Sequence, residues 1–430
     1  MAHRVQNFDA LTTNPLRTDA LSIAEAGYAA INVGEALRRK LRIENGELHI
    51  NDAVYPLAGR KVFFVGVGKC ALEAAGAIEE LLGEHLTDGI AFDVSVRDNL
   101  SLSKIETHIG THPLPSEVNV QASRRILEFL SGREASDLVI MLVSGGGSAL
   151  LCLHESPMTC TDESLLWSEL TKRGATIQDI NTIRKHTSQA RGGALAFAAY
   201  PAEVMSLIVS DVPGNDIEYI ASGPTVLDTT TVADARAVLE KYTLAAATNV
   251  QLIETPKEAK YFERVTNILF LTNQDALGAM KDEAAARGYT AQIVDDRFTG
   301  EASVLGRAIV EKLHGSEAKT ALLYAGESTV TLGTHRGEGG RSQEMALAAL
   351  EDIRDNEIMI PFASDGRDNT DHAGAIADGV TRAHAHAKNV SAGGYLHDHR
   401  SYDFFRVTDD ALVTGYTGSN VSDLIVALKK

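Results

Sequence analysis

From Lys61 to Leu82 the chain reads "KVFFVGVGKCALEAAGAIEELL", a near-continuous apolar run, a glycine turn and then apolar residues at helical spacing. A strand that is apolar on both faces must be covered on both faces, and a parallel sheet flanked by helices gives that cover. The pattern recurs. "DLVIMLVSGGG" leads into helical material, "VMSLIVSDVPG" into "NDIEYIA", "NILFLTN" into "QDALGAMKDEAAARG", and "TAQIVDD" into "EASVLGRAIVEKLHG". Repeated strand–turn–helix units specify an α/β fold. Residues 18–41 precede the first unit with helical periodicity, and "TALLYAGE", "EIMIPFASDG" and "ALVTGYTGSNVSDLIVALKK" continue the rhythm to the end.

At 430 residues the chain exceeds one ordinary domain. The apolar β-runs stop between Lys241 and Lys260, so the expected division is 1–245 for a larger, Rossmann-like parallel-sheet N-terminal domain and 260–430 for a smaller α/β C-terminal domain. Clefts between two such domains favour ligand binding. The net charge of −18 excludes general affinity for nucleic acid, which needs a basic face. It leaves room for a small anion held by a few local cations. No apolar run reaches bilayer length and the first residues lack the apolar core of a signal peptide, so a cytoplasmic protein without membrane association is the expectation. Cys70, Cys152 and Cys160 form no CxxC pair and read as reduced thiols.

Six stretches hold chemistry. Lys69 follows the first apolar run directly, beside a helix start whose N–H groups attract anions; "GVGK" is not a Walker A loop, and a surface lysine on a plain turn is the alternative. "SGGGS", Ser144 to Ser148, departs from the GxSxG nucleophile elbow. Its glycines Gly145, Gly146 and Gly147 let backbone amides approach an oxyanion, with two serine hydroxyls beside them; a tight turn is the bland reading. "NTIRKHTSQARGG" places Arg184, Lys185, His186 and Arg191 within eight residues, with Arg184 and Arg191 on one face if the helix continues, as an anion clamp or a solvated basic face. Asp211 closes a buried strand, where a carboxylate binds Mg²⁺, takes a proton or caps a turn. In the second half, Arg341 opens a helix after two glycines, and Asp365, Asp368, Asp371 and Asp378 crowd a loop that departs from the EF-hand spacing and suits Mg²⁺ or substrate hydroxyls better. The pairs His384/His386 and His397/His399 lack the ligands that would complete a zinc site.

Taken in order, "VGVGKCALEAA", "THPLPSE", "LVSGGGSALL", "NTIRKHTSQARGGALA", "SDVPGNDIEYIASGPT", "GGRSQEMAL", "SDGRDNTDHAGAI" and "TGYTGSNVSDLIV" resemble the class II glycerate 2-kinase family with its MOFRL-type C-terminal domain. The resemblance runs from about residue 65 to the C-terminus. It implies transfer of phosphate from ATP, with Mg²⁺, to the 2-hydroxyl of D-glycerate, in an active site in the cleft between the two domains. It makes Lys69, Asp211 and Arg341 the catalytic candidates, with Asp211 as base or Mg²⁺ ligand. Ser144 to Ser148, Arg184, Lys185, Arg191 and Asp365 become candidates for binding glycerate or nucleotide. Three positions depart from the family pattern: Arg191 stands where lysine is common, Ser342 where asparagine is, and Tyr416 where proline is. A homodimer is compatible with this reading. Two rivals remain at this point, a hydroxypyruvate reductase and a non-catalytic sensor of small carboxylates. Against the reductase, "GVGKCA" lacks the third glycine of a dinucleotide fingerprint.

Overall fold

The computed structural model describes residues 3–97, 100–212, 214–244, 249–333 and 337–430. Pro213, within one of the quoted stretches, lies outside them. The chain forms two compact units: Val33–Asp211 with Asn215–Phe270, and Met1–Asn32 with Val212–Gly214 and Leu271–Lys430. This departs from the expected division at 241–260. The opening segment groups with the C-terminal half, and the run "NILFLTN", expected to begin the second domain, lies in the first sheet. Both departures depend on partners far away in sequence, which local periodicity does not encode.

The first unit begins with the helix Val33–Lys40, followed by a small antiparallel meander, β1 (Leu41–Glu44), β2 (Glu47–Ile50) and β3 (Ala53–Pro56). Its main sheet contains β4 (Val62–Val67), β5 (Leu86–Asp93), β6 (Ile105–Ile109), β7 (Leu138–Val143), β8 (Glu203–Val209) and β9 (Val265–Leu271), ordered β6-β5-β4-β7-β8-β9. The pairs β4–β5, β5–β6, β4–β7 and β7–β8 are all parallel. Every residue of β4 and β7 is buried, as their uninterrupted apolar runs require. Phe63, Val65, Ile90, Phe92, Val139 and Met141 pack with Ile126 and Phe129 of the helix Glu117–Leu130 in one core. Each such side chain contributes about 1.5–3 kcal/mol of transfer free energy. From β4 the chain builds outward through β5 to β6, then returns to the other side of β4 for β7 and β8. The order therefore reverses between β4 and β7, and at such a switch point the flanking loops diverge and leave a crevice at the carboxyl ends of the strands.

One expected helix is absent. After β8, "NDIEYIA" gives only a 3-10 turn, Ile220–Ser222. Ala221, Ser222 and Gly223 all have positive φ, at 52°, 59° and 58°, which no right-handed helix accommodates.

The second unit holds β10 (Thr290–Glu301), β11 (Thr320–Thr329), β12 (Glu357–Ala363), β13 (Gly374–Ala375), β14 (Ala377–Asp378), β15 (Ala411–Leu412) and β16 (Asp423–Lys429), ordered β10-β11-β16-β12-β13-β15 with β14 against β12. The sheet is mixed. β16 runs antiparallel between β11 and β12, pairing Asp423 with Gly326 on one side and Ala363 on the other. The helix Pro15–Ala30 packs on the helix Asn273–Ala286 and on β12 and β16. Arg17 on that first helix is 1% exposed and reaches Asp378 at 2.7 Å and Asp410 at 2.8 Å.

Candidate functional site

The crevice of the first unit is built by three turns. Lys69 follows β4, two residues before the helix Ala71–Leu82; Ser144 follows β7; Asp211 stands two residues beyond β8. The first two turns are joined. Ser144 N–H donates to the Val67 carbonyl at 2.9 Å, and Lys69 N–H donates to the Gly145 carbonyl at 3.0 Å. Gly68 has φ +118°, and a Cβ there would lie 2.1 Å from Ser144 Oγ, so only glycine allows the approach. The Lys69 side chain lies alongside the glycines: a Cβ on Gly146, φ +85°, would come 3.2 Å from Lys69 Cγ.

A further loop joins them. A Cβ on Gly147 would sit 2.5 Å from the Ala221 Cβ. Ser148 Oγ is 2.8 Å from Ser222 Oγ, which donates to Asn181 Oδ1 at 3.0 Å. The positive-φ run that prevents a helix after β8 thus delivers Ser222 to the glycine turn. The two serines expected to offer hydroxyls to a ligand are both engaged by the fold. Ser144 is fully buried and donates to Val67, and Ser148 is tied to Ser222. Within this turn, the backbone rather than the hydroxyls presents a polar surface.

Charge in the crevice is unequal. Asp93, at the end of β5, is buried, and burial raises its pKa; its carboxylate accepts from the N–H groups of Leu72, Val94 and Ser95 at 2.9, 2.6 and 3.3 Å. Those bonds occupy it. Asp211 is half-buried, and its charge acts on Cys70, whose thiol is pushed up to about 12, first by burial and also by Asp93 and Asp211. Cys70 is consequently a neutral wall and not a nucleophile.

The basic cluster is arranged differently from the expected clamp. The helix Ile177–His186 ends before Arg191, so Arg184 and Arg191 do not share a helix face. Gly192 and Gly193, at φ +56° and +85°, turn the chain instead. Arg191 is fully buried against Glu163 at 2.8 Å, and its side chain lines a cavity of about 600 Å³ with Gln189, Phe197 and Tyr261. Arg184 stacks 3.6 Å from the centre of the Trp167 ring, its pKa held down at about 9, first by burial and then by Arg191. Lys185 pairs with buried Asp228 at 3.1 Å. A guanidinium or ammonium paired in the interior is held by its carboxylate, and freeing it would leave that carboxylate uncompensated.

In the second unit Arg341 opens the helix Arg341–Ala349. Its Nε lies 2.5 Å from Asp423 and its Nη2 2.9 Å from Glu327. Burial raises the Asp423 carboxyl to about 7, against the pull of Arg341. Asp365, just past β12, is largely buried and accepts from Arg367 N–H at 3.0 Å. Asp368 is a helix cap, accepting from the N–H groups of Ser342 and Gln343 at 3.0 and 2.7 Å. Asp378 is committed to Arg17. Of the acidic loop, then, Asp365 stands nearest the carboxyl end of β12, two residues past Ala363. Asp423 and Glu327 escaped the sequence reading. An acid opening the otherwise apolar run "DLIVAL" was the signal that could have found Asp423.

Mg²⁺ prefers hard oxygen ligands and keeps several waters. Asp211 offers such an oxygen two residues past β8, whereas the Asp93 carboxylate accepts from three backbone N–H groups.

Residues 19–254 match the family model "Domain of unknown function (DUF4147)", and residues 320–423 match the MOFRL family. A glycerate 2-kinase of Pyrococcus horikoshii is 34% identical over 95% of this chain and 95% of its own. A D-glycerate 2-kinase of Thermotoga maritima is 35% identical over 86% and 90%. The crystal structure of a glycerate kinase from Thermotoga maritima superposes with a TM-score of 0.83 at 33% identity, covering 96% of this chain and 99% of the other.

Proposed function

Because the chain belongs to the glycerate kinase family, pairing a DUF4147 domain with a MOFRL domain, we propose that it transfers the γ-phosphoryl group of ATP to the 2-hydroxyl of D-glycerate, giving 2-phosphoglycerate. One observation supports this most directly. The turns after β4 and β7 are hydrogen-bonded through Lys69 and Gly145 at the sheet's switch point, with the Lys69 side chain beside the glycines. Backbone amides and a lysine side chain at a carboxyl-edge crevice suit a phosphate or a small carboxylate.

Phosphoryl transfer asks a protein for alignment and charge neutralisation more than for covalent chemistry. Lys69 supplies a positive charge to the reacting phosphates or the glycerate carboxylate. Arg341, held by Glu327 and Asp423, is a second cation for the reaction. Asp211 is the residue to hold Mg²⁺ or to take the hydroxyl proton; Mg²⁺, when bound, offsets phosphate charge. The buried pairs Arg191–Glu163 and Lys185–Asp228 shape the surrounding fold. A chain from Agrobacterium vitis, 35% identical over 84% of this one, is provisionally named a hydroxypyruvate reductase. Reduction of hydroxypyruvate is therefore the reading to exclude.

The test is an assay with D-glycerate, ATP and Mg²⁺, following ADP and coupling the product to enolase without a mutase. ADP with an enolase signal is the expected result. ADP without it indicates phosphorylation elsewhere on glycerate, and NADH or NADPH oxidation with hydroxypyruvate but no ADP replaces the kinase by a reductase.

A further inference from the structure

Cys152, His154 and Cys160 converge just beyond the glycine turn, away from the residues proposed for catalysis. Cys152 is the second residue past the helix Gly147–Leu150, and Cys160 begins the helix Cys160–Lys172. Their Sγ atoms are 3.2 Å apart, and Cys152 Sγ lies 3.2 Å from His154 Nε2. Among the described residues, this is a group whose ligand atoms all fall within 4.8 Å of one another. The cysteines form no disulfide.

The imidazole is already oriented. Its Nδ1–H donates to the Thr187 carbonyl at 2.5 Å, which turns Nε2 toward the sulfurs. Metal-binding histidines are commonly fixed in this way, with the second nitrogen bound to a carbonyl. Nε2 also lies 2.9 Å from Glu163 Oε2, and the histidine and glutamate side chains are only 2% and 8% exposed. Two sulfurs and a carboxylate oxygen thus crowd around one ring nitrogen. A single proton on Nε2 satisfies one of these neighbours, whereas a cation at their centre satisfies all of them.

We propose that Cys152, His154 and Cys160 bind one zinc ion, with Glu163 as the fourth ligand. Thiolate, imidazole and carboxylate together suit Zn²⁺ better than the hard cations. A tetrahedral zinc with ordinary bond lengths places two sulfurs about 3.8 Å apart, sulfur and nitrogen about 3.6 Å and nitrogen and oxygen about 3.3 Å. The sulfur–sulfur, sulfur–nitrogen and nitrogen–oxygen separations found lie about 0.4 to 0.6 Å inside those edges, so Cys152, His154 and Cys160 need a small expansion. Glu163, which touches His154 but lies outside the three-residue cluster, must swing toward the sulfurs to complete the site. Glu163 Oε1 keeps Arg191 at 2.8 Å meanwhile. Binding releases the two thiol protons. Two thiolates, one carboxylate and Zn²⁺ leave one net negative charge, which the buried Arg191 guanidinium balances. The ion would staple the segment leaving the glycine turn to the start of the helix Cys160–Lys172, a structural role in which all four positions come from protein.

Purified full-length chain, reduced and chelator-free, would be loaded with Zn²⁺, desalted and analysed for metal. About one zinc per chain is expected, with Cys160→Ser and His154→Asn each weakening binding by roughly tenfold or more. Cobalt titration of the unaltered chain needs no variant to fold: intense visible bands of a tetrahedral ion with thiolate charge transfer are expected. Substoichiometric zinc in the reduced protein, or cobalt spectra without thiolate bands, would overturn the proposal. So would a reduced chain that takes up no zinc and oxidises to a Cys152–Cys160 disulfide. Zinc affinity unchanged in a folded Cys160→Ser chain would overturn it as well.

Discussion

Lys69 donates its backbone N–H to the carbonyl of Gly145 at 3.0 Å, so the residue that offers a charge and the turn that offers amides move as one piece. Gly146 tests this coupling, because its φ of +85° strains any side chain and a Cβ would also press on Lys69 Cγ. Gly59 has a similar φ, +72°, with nothing within 4 Å of an added Cβ. Gly146→Ala and Gly59→Ala should each lose about 1 kcal/mol in urea unfolding from backbone strain. Only Gly146→Ala should lower kcat/KM for glycerate, by about tenfold or more. Equal activity in the two variants would detach the glycine turn from catalysis.

Arg341 carries two roles that a double variant separates. Arg341→Ala removes the cation facing Asp423 and Glu327, so both activity and melting temperature should fall, with kcat down about a thousandfold. Adding Asp423→Asn removes the buried carboxyl that the first change leaves uncompensated. The double variant should regain thermal stability and remain inactive in the ADP assay. Recovery of activity along with stability would reduce Arg341 to a structural residue.

The sequence made the sheet strands visible because β4, β7, β8, β11 and β12 are apolar on both faces, a pattern with few other meanings. Lys69, Ser144 to Ser148, Asp211 and Arg341 stand out as candidates because glycines and charges flanking apolar runs or helix starts have local signatures. The partners of the basic cluster were hidden. Nothing near Arg191 in sequence announces Glu163, which lies 28 residues earlier on the helix Cys160–Lys172. Likewise the helix Pro15–Ala30 shows its apolar stripe but not the sheet it covers, since Arg17 meets Asp378 across 361 residues. Periodicity reports which face is buried; only the folded chain reports against what. The serine hydroxyls were misjudged for a related reason, because Ser222 is delivered to Ser148 by three positive-φ residues whose conformation a sequence does not declare.

Asp228 gives a pH dependence of definite sign. It is buried among Lys185 at 3.1 Å, His186 at 3.4 Å and Lys257 at 3.6 Å, and accepts from Thr230 and Thr255. Burial alone would raise its pKa, but Lys185 and the Thr230 bonds outweigh burial and hold it below the ordinary carboxylate value. A depressed folded pKa stabilises the fold above the unfolded value of about 4, and that stability is lost as pH falls through the lower folded value. Asp228→Asn should therefore flatten the decline of the urea midpoint below pH 4. At pH 7 it should cost about 3 kcal/mol, because buried Lys185 keeps only the longer, 3.6 Å contact with half-exposed Glu218. A variant with the wild-type acid slope would remove Asp228 from the account.

Arg17 is the hidden anchor of the second unit, and its burial makes its loss expensive. The guanidinium reaches Asp378 and Asp410, both almost fully enclosed, and also donates to Thr381 Oγ1 at 2.9 Å. Asp378 in turn caps the helix Gly379–Ala387 through Thr381 N–H at 2.8 Å. Arg17→Ala strands the buried Asp378 carboxylate and leaves Asp410 only His384 at 3.0 Å, and a loss of about 3–5 kcal/mol in urea unfolding is expected. Replacing all three groups at once, as Arg17→Met with Asp378→Asn and Asp410→Asn, removes the stranded charges while keeping the side-chain volume and the helix cap. That triple variant should recover most of the lost stability. If it is no more stable than Arg17→Ala, the anchoring comes from the packing of the helix Pro15–Ala30 and not from the charges Arg17 neutralises.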